Sequence, residues 1–63
     1  MIKEYYIYCF EGGIKHYITH PYYTTILSID IDKANIYEEK TAIKACCLAH
    51  ALFNRHFYKE RVL

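Results

Sequence analysis

The side chains of this chain that could do chemistry are three cysteines, four histidines and a single serine. Cys46 and His50 lie four residues apart, Cys47 and His50 three apart, and both spacings bring side chains together on a helix. His16 and His20 lie four apart, which places them on one face of a strand. Zinc takes four converging ligands in spacings such as Cys-x₂-Cys, and adjacent Cys46 and Cys47 are not such a pair. Two ligand pairs in separate elements have nothing to make them converge, so the histidines read as hydrogen-bonded packing groups and no metal or other cofactor is expected. A Cys9/His16 dyad would need a third, orienting group and a pocket to make a nucleophile. Ser28 has no strand-to-helix elbow around it. Gly12 and Gly13 precede a β-rich run, so they read as a turn and not as a phosphate loop. No catalytic residue is assigned, and the chain is read as non-enzymatic.

The elements that must position these groups follow from periodicity. Lys3 to Phe10 is aromatic or β-branched at most positions and suits a strand. Gly-Gly then supplies the positive φ angles of a two-residue hairpin, and Ile14 to His20 returns. That turn fixes the register: Glu11 opposite Ile14, Cys9 opposite His16, Ile7 opposite Ile18, and Tyr5 opposite His20. The other face pairs Phe10 with Lys15, Tyr8 with Tyr17, and Tyr6 with Thr19. Pro21 to Tyr23 interrupts the sheet, since proline donates no ladder bond. Thr24 to Ile31 gives a third strand, with Leu27, Ile29 and Ile31 on one face.

A helix is expected from about Glu38 to Phe53, with Asn35 and Glu38 in capping-box spacing and Asn54 as the stop. Its stripe of Ala42, Ala45, Cys46, Ala49, Leu52 and Phe53 is small enough to lie close on a sheet. Phe57 to Val62 reads as a short fourth strand, given the β preference of Phe57, Tyr58 and Val62, with a helical extension as the alternative. The expected architecture is a single α+β domain over residues 1–63: a three-stranded antiparallel meander, one helix on one face, and a short C-terminal fourth strand.

One helix covers one face of a small sheet. The smaller, more aliphatic face, with Tyr5, Ile7, Cys9, Ile14, His16 and Ile18, is expected to meet it. That leaves Tyr6, Tyr8, Phe10, Lys15 and Tyr17 as a protein-binding face, since tyrosine combines an apolar ring with a polar tip. Ile43, Cys47, Leu48 and His50 lie on the helix flanks and are expected to form an oligomer interface. A chain of 63 residues has a marginal core of its own. Its surplus apolar surface is therefore expected in a homodimer or against a foreign protein.

Eight basic and seven acidic side chains leave a formal net charge of +1, so no basic field holds a nucleic acid by counterion release. A single-stranded nucleic-acid module using the aromatic face is the alternative reading, and a small-ligand sponge at a dimer interface is a third. The longest apolar run is too short to span a bilayer, so no membrane partner is expected. Three cysteines without framework spacing or a secretory leader read as reduced thiols, which places the protein in the cytoplasm.

The stretch from Asp30 to Ala42, with Ala34, Tyr37, Ala42 and then Asn54, resembles the layout of small phage and prophage accessory proteins of Gram-positive bacteria. Those share a tyrosine-rich opening strand, an Asp-x-x-x-Ala-x-x-aromatic joint, a charged helix start and a closing strand. The resemblance implies a protein that binds and blocks a bacterial defence or host enzyme by steric occlusion, inside the host cell. It transfers no functional residue.

Overall fold

In the computed structural model, residues 2–19 and 27–62 are described. The order is β1 (Glu4–Glu11), β2 (Ile14–Ile18), β3 (Leu27–Ser28), a 3₁₀ turn (Ile31–Lys33), β4 (Tyr37–Glu38), α1 (Glu39–Phe53) and β5 (Tyr58–Arg61). The class is α+β, with five antiparallel-paired strands in one sheet.

The hairpin has the register that a Gly-Gly turn dictates. Tyr8 pairs with Tyr17, Cys9 with His16, Phe10 with Lys15, and Glu11 with Ile14. Gly12 and Gly13 have φ of +59° and +78°, which glycine adopts without the Cβ clash that penalises other residues. The Tyr5–His20 pair lies outside the described residues.

β1 is the central strand, and its neighbours are settled by the pairings. Tyr8 pairs with both Tyr17 and Tyr58, so β2 and β5 flank opposite edges. Tyr5 pairs with both Tyr37 and Arg61, so β4 also lies opposite β5. β2 and β4 therefore follow one another along the same edge of β1. The Asn35 amide donating to the Ile18 carbonyl at 2.8 Å stitches the junction.

Three expectations are corrected here. The third strand is paired only at Leu27 and Ser28, because side chains then capture the backbone. The Asp30 amide donates to Ser28 Oγ at 3.1 Å, and Asp30 Oδ1 accepts the Asp32 amide at 3.0 Å. Such local bonds compete with a ladder, so Ile29 and Ile31 are left exposed. Its expected opening, Thr24 to Ile26, lies outside the described residues. The helix begins at Glu39, with Glu38 as N-cap making no side-chain cap bond. Asn35 is instead drawn to β2, and Tyr37–Glu38 joins the sheet. Ile14, expected in the core, is 55% exposed, because it sits at the hairpin tip beyond the reach of α1.

The core is the face expected of it. Tyr5, Ile7, Cys9 and Ile18 from the sheet meet Ala42, Ala45 and Ala49 of α1, closed by Tyr37 and Phe57. The three alanines retain 0–2% exposure, so the helix backbone rides close to the strands. Asn54 ends α1 in the left-handed conformation, φ 53° and ψ 43°, with its amide donating to the His50 carbonyl at 2.9 Å.

Candidate protein-interaction surface

The aromatic face lies opposite α1 and gathers Tyr6, Tyr8, Phe10, Lys15 and Tyr17 as their strand positions require. β5 adds a residue that sequence reasoning did not include. Tyr58 stacks on Tyr8 with ring centroids 5.4 Å apart and contacts Phe10 at 6.1 Å. Its signal was available in the alternation of a strand running 57–62, once β5 was known to pair with β1.

Much of this face is satisfied internally. Tyr17 is 8% exposed and edge-on to Tyr6 at 5.8 Å. The Lys15 ammonium crosses the Tyr8 ring, 4.1 Å from its centroid, and donates to Glu60 Oε1 at 2.6 Å. That bond, stronger than the desolvation opposing it, raises the Lys15 pKa. The side chains left outward on this face are at one end: Phe10, 53% exposed, beside Tyr58 at 43%.

On α1 the four residues expected at an oligomer interface do not share one patch. Ile43, Cys47 and His50 lean toward β5 and line an apolar groove with Cys46, His56 and Phe57. Two overlapping hollows of about 360 and 440 Å³ make up this groove. Leu48 is five residues from Ile43, about 140° around the helix, and looks out from the opposite flank with Leu52. Lys40, Lys44 and Ala51 form the ridge between them. Ile43 is 51% and Leu52 63% exposed.

The reactive groups are arranged for packing. Cys9 is fully buried, and burial raises its thiol pKa while Arg55 pulls in the opposite direction. Burial thus favours the neutral thiol at this position over the thiolate. His16, its cross-strand neighbour, places Nδ1 2.9 Å from the Ile14 carbonyl oxygen. Burial, and then Cys47, raise the Cys46 thiol. The His50 and His56 rings meet edge-on at 6.3 Å. Although two thiols and two imidazoles line one groove, no three such donors converge as a metal site among the described residues. His20 lies outside them. No described helix is long and apolar enough to cross a membrane.

Comparison with protein-family models, with curated proteins and with solved structures finds no match to this chain.

Proposed function

We propose that this protein is a non-enzymatic protein-binding module that acts by occupying a surface of its partner. One observation carries the reading: ten large apolar side chains, among them Phe10, Ile43, Leu48 and Leu52, stand at least 40% exposed among the described residues. A domain this small gains more by covering such side chains than by leaving them in water. Homodimerisation through the α1 flanks is one outlet for that surface. Steric block of a bacterial defence or host enzyme is the other, and the resemblance to phage accessory proteins supports it. The nucleic-acid alternative is disfavoured by Lys15, whose charge Glu60 already neutralises.

The test is affinity capture from a Gram-positive bacterial lysate on the immobilised chain, beside light scattering of the purified protein. A stoichiometric partner or a dimer, lost on Phe10→Lys or Ile43→Lys, is the expected result. A chain that stays monomeric at micromolar concentration and retains no stoichiometric partner overturns the reading.

A further inference from the structure

β5 carries an open edge with its own binding chemistry. The Val62 amide donates to the Glu4 carbonyl at 2.8 Å, so residues 62, 60 and 58 turn their backbone groups toward β1. By alternation the N–H and C=O groups of Lys59 and Arg61 turn outward, and no partner meets them among the described residues. The groove between α1 and β5 runs beside this edge, with Phe57 on its floor and Ile43 and Cys47 on its wall.

The charges decide what fits. Lys59 and Arg61 share the helix-side face of β5, and the Lys59 ammonium lies 4.7 Å from the Tyr5 ring centroid. Glu39, the only acid in α1, already accepts the Tyr5 hydroxyl at 3.0 Å. A second copy pairing antiparallel about a two-fold axis would set Lys59 against Lys59, Glu60 against Glu60 with Lys59 against Arg61, or Arg61 against Arg61. Each of these three registers opposes like charges, a common protection of exposed edges, and only a register slipped to centre on Tyr58, at the end of β5, avoids it. A foreign strand with acids at alternate positions meets no such opposition.

The geometry points to β5 as a docking edge for an extended peptide segment of a partner protein. That segment runs antiparallel to β5 with acidic residues opposite Lys59 and Arg61 and an apolar side chain entering the groove opposite Phe57. It is strand addition, in which main-chain hydrogen bonds give affinity and the alternating side chains give specificity. The proposal rests on the protein-binding reading and names the partner chemistry for one surface of it.

The probe is the synthetic peptide Ser-Asp-Thr-Glu-Val-Leu-Ser, titrated against the intact chain and followed by backbone amide shifts. Asp, Glu and Leu of the peptide fall opposite Arg61, Lys59 and Phe57. Saturable binding is expected, with shifts at residues 57–62 and at Ile43 and Cys47. N-methylation of the Asp and Glu removes the two amides that meet β5 and is expected to weaken binding about tenfold or more. N-methylation of the Thr and Val, whose amides point away, is expected to be tolerated. Lys59→Glu with Arg61→Glu is expected to reverse preference toward the peptide with lysines in place of its acids. Equal binding by both N-methylated peptides, shifts elsewhere on the surface, self-association through β5, or no binding each overturns the proposal. Should that double variant fail to fold, the N-methylated pair on the wild-type chain decides. Lysate capture that persists without peptide binding removes the edge and leaves the wider reading standing.

Discussion

Lys15 shows how one side chain on a small sheet organises a face. It reaches across β1 from β2 to Glu60 on β5, and its ammonium lies over Tyr8 and within 5.5 Å of the Tyr17 ring centroid. Both partners of the ion pair are partly exposed, so solvent screening reduces its worth to about 0.5 kcal/mol. The ring contact adds about 0.5–1 kcal/mol that Glu60 does not share. Lys15→Ala is therefore expected to lower stability by more than Glu60→Ala. A double-mutant cycle in urea should return a coupling near the ion-pair value, and equal single-variant losses would contradict the ring contribution. The Phe10–Lys15 and Tyr8–Tyr17 pairs were readable because Gly12 and Gly13 fix the turn length. The Glu60 contact was not, because nothing local to either segment says which edge of the hairpin the last strand joins.

At the scale of elements, the alanine stripe decides how closely α1 approaches the sheet. Ala42, Ala45 and Ala49 are sealed against Ile7, Cys9 and Ile18, and a larger side chain there must push the helix away. Ala49→Leu is expected to cost about 1–3 kcal/mol by overpacking. Ala51→Leu, on the exposed ridge, is expected to change stability little, since both residues favour helix. Urea unfolding of the two variants checks the contrast. This stripe was legible because helical period and residue size point the same way. The segment before it was not. Asp30 and Ser28 end the third strand through bonds to backbone amides, and Asn35 is taken by the Ile18 carbonyl instead of the helix N-terminus. A capping pattern in sequence specifies a donor and an acceptor, but a β-edge nearby in space competes for the same groups. Helical spacing alone puts Ile43, Cys47 and His50 on one flank of α1 and Leu48 on the other, and the groove beside β5 takes in the first three without Leu48.

Across the whole molecule, five groups drawn from both sheet and helix hold their protons more tightly in the fold than they would free. Burial raises the pKa of Cys9, Cys46 and Tyr37, the Glu39 hydrogen bond raises that of Tyr5, and Glu60 raises that of Lys15. A group with a raised folded-state pKa contributes stability that is whole below its unfolded value and is lost as pH climbs past it. The ordinary values are 9.0 for the thiols, 10.0 for the phenols and 10.5 for the lysine. All five shifts act in the same direction, so the loss on the alkaline side is cumulative. The midpoint of urea unfolding, measured under reducing conditions, is expected to change little from neutrality to about pH 8 on account of these groups and to fall progressively above about pH 9. Cys9→Ala with Cys46→Ala should remove the part that begins near the thiol value and leave the later part, due to the tyrosines and Lys15. A midpoint that stays level through pH 10 in the wild-type chain would mean that the thiols and phenols are as accessible to solvent folded as unfolded. The packing of α1 on the sheet would then be looser than the sealed alanines require.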